Sequence, residues 1–101
     1  MPSKHAKTML VVVTEAALEK HLLRDIRKLG AQAWTLSDVR TAGSEGVREG
    51  AWEADRTIEL KVICQASVAD AIADHVLATY AAHYSVVMYF GAVSVIRPER
   101  F

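Results

Sequence analysis

Glycine residues concentrate in one segment, residues 41–56, which reads TAGSEGVREGAWEADR. Its three glycines, at positions 43, 46 and 50, permit positive φ angles and close approach of the backbone to a ligand. Successive backbone N–H groups in such a segment can form a nest for an anion. Arg40, Ser44 and Arg48 add donors suited to phosphate or carboxylate groups. The segment therefore predicts a site for a small anion, with plain flexibility of a glycine-rich connection as the alternative.

The other reactive residue types form no recognisable catalytic or metal-binding set. The histidines, at positions 5, 21, 75 and 83, show neither HxxxH nor HExxH spacing, which favours structural or solvent-facing roles. Cys64 is the only cysteine, and its apolar neighbours favour a buried thiol. Glu15 could meet a ligand, or it could stand as a carboxylate at a helix N-terminus. We therefore expect recognition rather than catalysis, and no metal site.

The composition predicts one domain spanning residues 1–101, with a flexible tail over residues 1–6. Twelve basic and twelve acidic residues cancel, so we expect no nucleic-acid partner. No apolar run reaches the ~18 residues of a membrane-spanning helix. The apolar stretch near the start is also too short for the core of a signal peptide. These features predict a cytoplasmic protein.

Hydrophobic periodicity predicts the elements that would position the anion site. Strands are expected at residues 8–13, 33–40, 57–64 and 85–96, and helices at residues 15–29 and from residue 67. Thr14 and Ser67 are suited to begin the two helices as caps, and Gly30 is suited to end the first. The order is that of an α+β, ferredoxin-like βαββαβ sandwich, a four-stranded antiparallel sheet with two helices on one face.

The last strand carries apolar residues on both faces, from Val86 to Phe90. Two helices can cover only one face of a four-stranded sheet. The other face must therefore be exposed to solvent or covered by another protein surface. We expect this open face to pack against further copies of the chain.

The order and spacing of five stretches resemble the PII signal-transduction superfamily over nearly the whole chain. They read LVVVTE at residues 10–15, GAQAWTL at 30–36, GSEGVREG at 43–50, AIADHV at 71–76 and YSVVMYFGAV at 84–93. The chain is most similar to the PII-like proteins associated with bicarbonate transporters and carboxysomes. In that superfamily the connection corresponding to residues 41–56 is called the T-loop.

The resemblance implies a homotrimer that binds an adenine nucleotide in three intersubunit clefts. It implies a regulatory rather than enzymatic protein, in which the T-loop covers the phosphates and signals to a membrane transporter or carboxysome-linked partner that regulates inorganic carbon. Thr35 would help to hold the adenine, and Arg97 and Arg100 would reach the phosphates of a neighbouring subunit. The residues expected at the nucleotide are Thr35, Val39, Arg40, Thr41, Gly43, Ser44, Gly46, Arg48, Gly91, Arg97 and Arg100. A bicarbonate ion would share Gly43, Ser44, Gly46 and Arg48.

Some positions depart from the pattern of the superfamily. The glycine- and lysine-rich loop that grips the terminal phosphates in nitrogen-regulatory members is replaced by AAHYS at residues 81–85. This replacement favours AMP, ADP or cyclic AMP over Mg-ATP as the ligand. The T-loop contains no tyrosine for uridylylation, and Glu45 stands where the bicarbonate-linked branch has an arginine.

Three alternatives share the predicted order of elements. A trimeric ferredoxin-like metal-tolerance or structural module would bind no nucleotide, and leaves the glycine-rich loop unexplained. Acylphosphatase chemistry requires an asparagine, and the sequence contains none. A weak nucleotidase would need only slow hydrolysis in the cleft.

Overall fold

The structure, a computed structural model, describes residues 2–43, 46–48 and 56–101 and has the predicted ferredoxin-like βαββαβ architecture. The strands are β1 (His5–Glu15), β2 (Trp34–Val39), β3 (Thr41–Gly43), β4 (Gly46–Arg48), β5 (Thr57–Cys64) and β6 (Val86–Val95). The helices are α1 (Glu19–Lys28) and α2 (Ala66–Thr79), with 3₁₀ turns at Ala16–Leu18 and Pro98–Arg100. Within the described ranges, no helix has the length and apolar character needed to cross a membrane.

Four strands form one antiparallel sheet, as predicted, and their order is β2-β5-β1-β6. The β-branched apolar run of β1 occupies a central position, where Val12 lies opposite Leu60 of β5 and Met88 of β6. β1 begins three residues earlier than predicted, because His5 pairs with Val95. The tail expected at residues 1–6 therefore overlaps the first strand. β2 and β6 are the edges of the sheet.

The core lies between one face of the sheet and the two helices. Leu10 and Leu60 from the sheet are fully buried with Leu22 of α1 and Ile72 of α2. Trp34 of edge strand β2 is partly buried against the same cluster. These side chains recur at a period of two in the strands and of about 3.6 in the helices, which explains why this sequence folds into two layers.

The opposite face of the sheet carries an apolar strip along β6. Val87 and Tyr89 are 58% and 50% exposed, and they pair with Val13 and Val11 of β1 on this face. Side chains alternate between the faces of a strand, so these residues point away from the helices. An exposed apolar strip of this kind is typical of a surface that another chain covers.

The helix starts differ from the prediction. The Thr14 hydroxyl donates to the carbonyl of Ser85 at 2.7 Å instead of capping a helix. Helix α2 begins at Ala66 after Gln65, so Ser67 lies inside its first turn, and no side chain caps it. Both predicted caps are wrong, because tertiary contacts and the helix register override the local preference of hydroxyl side chains.

The predicted end of the first helix is confirmed at Gly30, whose φ of 111° lies in the left-handed region. Its N–H donates to the carbonyl of Arg27 at 3.2 Å, and the N–H of Ala31 donates to the carbonyl of Ile26 at 2.9 Å. This pair of hydrogen bonds is the Schellman arrangement, which favours glycine at this position. Gly30 thereby turns the chain from α1 toward β2.

Candidate functional site

All four strands of the sheet meet at one end, which we call the loop base. Thr57, at the start of β5, lies opposite both Glu15 of β1 and Val39 of β2. On the other side of β1, Thr14 lies opposite Val86 at the start of β6. The T-loop leaves the sheet after Val39 and returns before Thr57. The end of β1 and the start of β6 therefore stand beside the two ends of the T-loop.

The described part of the T-loop contains an antiparallel hairpin that the sequence analysis did not predict. Thr41 pairs with Arg48, and Gly43 pairs with Gly46. Glycine permits the close backbone approach that such a narrow two-strand connection requires. Four of the predicted site residues therefore lie in one hairpin. Ser44 lies outside the described residues.

Two contacts hold the ends of the T-loop against the sheet. Arg56 Nη1 donates to Asp38 Oδ1 at 3.2 Å and to Oδ2 at 3.3 Å. The backbone carbonyl of Arg56 accepts a hydrogen bond from the N–H of Ala16 at 2.9 Å. An exposed ion pair contributes little to stability, but here it links the strand that enters the loop to the residue that leaves it. Predicted site residue Arg40 lies between them in the sequence, and its side chain is exposed to solvent.

Two further hydrogen bonds hold the connection before β6 to the end of β1. The N–H of Ser85 donates to Glu15 Oε2 at 2.6 Å, while its carbonyl accepts from the hydroxyl of Thr14 at 2.7 Å. Glu15 precedes the first 3₁₀ turn, yet its side chain makes no capping hydrogen bond there. Its carboxylate therefore serves to position Ser85 at the loop base.

Thr57 is a candidate site residue that sequence reasoning missed. Its side chain is buried, with 6% of the residue exposed, and among the described residues its Oγ1 has no hydrogen-bond partner. A buried hydroxyl without a partner costs about 1–3 kcal/mol, and such groups call for an ordered water or a ligand. The sequence around a threonine at the start of a strand does not indicate whether its hydroxyl will be buried without a hydrogen-bond partner.

The remaining predicted residues lie away from the loop base of the same chain. Thr35 is exposed on β2, four residues before Val39, which corresponds to about 13 Å along the strand. Gly91 lies within β6, opposite Met9 of β1. Arg97 and Arg100 follow the far end of β6, so the whole strand, about 34 Å long, separates them from the loop base. One chain alone does not bring these residues together with the T-loop.

A buried carboxylate, Asp25 of α1, links the two helices away from the T-loop. Asp25 Oδ2 accepts hydrogen bonds from the hydroxyl of Tyr80 and from Nε2 of His75, the latter at 2.9 Å. Its Oδ1 accepts from Arg24 Nε at 3.2 Å. Burial raises the pKa of Asp25, but the hydrogen bonds from Tyr80, His75 and Arg24 outweigh it and lower the pKa to about 2. Burial and the neighbouring carboxylate raise the pKa of Tyr80.

The Asp25 cluster has a structural role, because its members hold one another between the helices. Cys64 is also structural: it is 1% exposed, as predicted, and burial raises the pKa of its thiol. In the described part of the chain, no three His, Cys, Asp or Glu side chains are placed to hold a metal ion.

The sheet, its two helices and the T-loop hairpin define a ferredoxin-like domain with an extended connection between its second and third sheet strands. The sequence pattern of the family described as Nitrogen regulatory protein P-II matches residues 7–100. The chain therefore belongs to the P-II family. This confirms the resemblance to the PII superfamily that was drawn from the sequence.

Solved structures agree with this assignment. A putative PII-like signaling protein of Thermus thermophilus is 31% identical, with a TM-score of 0.84 and coverage of 98% of each chain. CPII, a nitrogen regulatory PII-like protein of Thiomonas intermedia K12 bound to ADP, AMP and bicarbonate, is 20% identical, with a TM-score of 0.87 and coverage of 100% of this chain and 98% of CPII. CutA of Synechococcus elongatus PCC7942 shares the fold at 9% identity, with a TM-score of 0.68 and coverage of 100% and 96%. No curated protein sequence matches the chain.

Proposed function

We propose that the chain is a regulatory sensor of the cytoplasm that binds an adenine nucleotide, AMP, ADP or cyclic AMP, in clefts between the subunits of a homotrimer. Bicarbonate binds beside the nucleotide at the T-loop, and the loop signals to a transporter or a carboxysome-linked partner. The protein recognises its ligands and performs no chemistry on them.

The observation that carries this proposal is the combination of the P-II family match with the loop base. The family match covers residues 7–100, so it includes both the T-loop and the segment before the C-terminus. CPII, which has the same fold, was solved with ADP, AMP and bicarbonate. At the loop base, the hairpin backbone, the side chain of Arg40 and the unpartnered hydroxyl of Thr57 in the described chain offer donors to an anion.

Edge strand β2 has the dimensions that an adenine nucleotide requires. Thr35 and Val39 are four residues apart and lie on the same face of the strand, about 13 Å from each other. An adenine held at Thr35 would then place its phosphates near Val39, where the T-loop begins. Within the described sheet the strand pairs with β5 alone, so its outer edge is open to a neighbouring molecule.

A second copy of the chain completes this site. Arg97 and Arg100 lie at the end of the molecule opposite to the loop base, so they can reach a phosphate there only from another subunit. The exposed strip at Val87 and Tyr89 supplies an apolar surface for such an assembly. Closed assemblies of identical chains are a common solution for domains of this size.

The regulatory character rests on the chemistry of the loop base. In the described part, the Glu15 carboxylate is engaged by Ser85, and the ionisable Asp25 cluster lies between the helices. Neither group is positioned as a general base beside an open nucleophile. A loop that costs roughly 1–2 kcal/mol per residue to order can be held by ligand contacts and released without them.

Isothermal titration of ADP, AMP and cyclic AMP tests the proposal. We expect saturable binding that Arg40→Ala weakens about tenfold, since a hydrogen bond to a charged group contributes about 1.5–3 kcal/mol. Lys20→Ala, which removes an exposed cation from α1, is the matched control and should bind like the wild type.

The same titrations repeated in bicarbonate buffer test the coupling of the two ligands. A higher nucleotide affinity in bicarbonate is expected, because two ligands that stabilise one loop state bind cooperatively. Equal affinities with and without bicarbonate would remove the co-ligand from the proposal. If no nucleotide binds at all, the alternative of a ferredoxin-like metal-tolerance or structural module is favoured instead.

A further inference from the structure

The Asp25 cluster between the two helices lies outside the proposed nucleotide site. Asp25 Oδ2 accepts hydrogen bonds from the hydroxyl of Tyr80 and from His75 Nε2, the latter at 2.9 Å. The rings of Tyr80 and His75 also meet edge to face, with their centroids 6.0 Å apart. The two donors therefore share one oxygen atom and contact each other.

The surroundings of His75 allow it to exchange a proton with solvent. Its side chain is 35% exposed, whereas that of Asp25 is 11% exposed. Within the described residues, the charged and titratable groups in contact with this pair are Tyr80 and Arg24, which donates to Asp25 Oδ1 at 3.2 Å. The hydroxyl of Thr79 lies 3.4 Å from Nδ1 of His75. His75 is therefore the accessible titratable member of a cluster whose carboxylate stays buried.

The end of α2 connects this cluster to the loop base. The backbone carbonyl of Tyr80 accepts hydrogen bonds from the N–H groups of His83 and Tyr84, at 3.1 and 3.0 Å. The rings of Tyr80 and Tyr84 pack edge to face, with their centroids 6.3 Å apart. The next residue is Ser85, which the end of β1 holds at the loop base through two hydrogen bonds. Direct contacts therefore run from the Asp25 cluster to the end of the sheet from which the T-loop leaves.

A change in the charge of His75 alters the hydrogen bonds at Asp25. Histidine is the side chain that gains or loses its charge between about pH 5 and 8. A neutral imidazole donates from one ring nitrogen only, whereas a protonated imidazole donates from both, and its charge-assisted bond to a carboxylate is about twice as strong. Because Tyr80 donates to the same oxygen atom, a stronger bond from His75 weakens the bond from Tyr80.

We propose that His75 is a positioning residue of the loop base, and that its charge state sets how firmly Asp25 holds Tyr80 and the connection that ends at Ser85. Neutral His75 leaves this connection in place, and protonated His75 loosens it. The linkage from His75 to Ser85 stands by itself. Its effect on ligand affinity rests on the proposed nucleotide site, where binding should be weaker in acid.

Nuclear magnetic resonance of the uniformly ¹³C,¹⁵N-labelled full chain without ligand tests the linkage between about pH 8 and pH 5. We expect the backbone amide of Ser85 to shift with the same midpoint as the ring signals of His75. In His75→Gln, which keeps an uncharged donor for Asp25, this shift should disappear. His21→Gln is the matched control, because it removes a histidine of α1 whose ring contacts Arg24 at 3.4 Å. It should leave the shift of Ser85 unchanged.

Two further variants separate the linkage from a direct effect. His83 lies two residues before Ser85, and the shift that follows His75 should persist in His83→Gln. Tyr84→Leu removes the ring that contacts Tyr80, so it should leave the titration of His75 in place and reduce the shift of Ser85 by at least about half. If His75→Gln loses its dispersed spectrum, Tyr84→Leu carries the test. Equal titration of Ser85 in the wild type and in the variant used, or loss of its shift in His83→Gln, would overturn the proposal.

Titrations of ADP at about pH 7.5 and about pH 5.5 test the effect on the nucleotide site. On acidification, the affinity of the wild type should fall about threefold more than that of His75→Gln. The comparison cancels the titration of the ADP phosphates, which is the same for both proteins. Equal pH dependence in the two proteins would refute control of the site by His75. If ADP binds to neither protein while Ser85 still follows His75, the proposed function fails and the linkage stands.

Discussion

Replacement of the buried carboxylate Asp25 by asparagine tests how the two helices are held together. Asp25→Asn keeps the size of the side chain but removes the charge that Tyr80, His75 and Arg24 engage. The pKa of Asp25 falls from its usual 3.8 to about 2 in the folded protein. This difference corresponds to about 2 kcal/mol of stabilisation of the ionised carboxylate. For a domain of about 100 residues, it should lower the melting temperature by about 10 °C.

The dependence of this effect on pH follows from the direction of the pKa shift. A carboxylate whose pKa is lowered by folding contributes its stabilisation fully above pH 3.8, the unfolded value, and loses it as the pH falls through about 2. Denaturant titrations of the wild type and Asp25→Asn should therefore show the full difference at about pH 5. The difference should shrink progressively below about pH 4.

Asp74→Asn, which neutralises an exposed carboxylate on α2, is the control. Its effect on the free energy of unfolding should stay within about 0.5 kcal/mol. The reasoning would be refuted if Asp25→Asn and Asp74→Asn were equally mild. It would also be refuted if the loss in Asp25→Asn persisted unchanged at about pH 2.

Three further predictions concern single residues. Gly30→Ala should destabilise the protein by about 1 kcal/mol or more in denaturant titrations, because alanine is strained at a φ of 111°. Gly91→Ala should cost less, since its added Cβ meets only the flexible end of Met9 at 3.3 Å; the reverse order would contradict this explanation. Thr57→Val should raise the ligand-free stability by about 1 kcal/mol or more, because it removes an unpartnered buried hydroxyl, and should weaken ADP binding about fivefold in calorimetry. A loss of ligand-free stability would show that the hydroxyl is already paired. Cys64 should react with iodoacetamide only after denaturant is added, as mass spectrometry can follow, and rapid native labelling would disprove its burial.

Most of the architecture could be predicted because its signals are local. The strict alternation from Ile58 to Cys64 specified β5 to within its observed bounds, Thr57–Cys64. Gly30 marked the end of α1 because only a positive φ completes that turn. The caps at Thr14 and Ser67 failed for a different reason. Thr14 bonds to Ser85, 71 residues away in the sequence, and no local pattern reveals such a partner.

The candidate site was only partly predictable. Glycines and arginines identified residues 41–56, but the pairing of Gly43 with Gly46 is a property of the folded hairpin. The hydroxyl of Thr57 has no hydrogen-bond partner within the described residues. This environment results from burial by several strands, so the neighbouring sequence could not have predicted it. Arg97 was expected, from the family resemblance, to reach the phosphates of a neighbouring subunit, and in the structure it follows the end of β6 that lies far from the loop base.

Native mass spectrometry at increasing ADP concentrations tests most directly whether the chain forms a trimer that binds the nucleotide. The account predicts an ion of three times the 11.1 kDa chain mass, which takes up as many as three ADP molecules and retains fewer when Arg40 is replaced by alanine. Detection of the single chain alone, or of a trimer that carries no ADP at saturating concentrations, would contradict it.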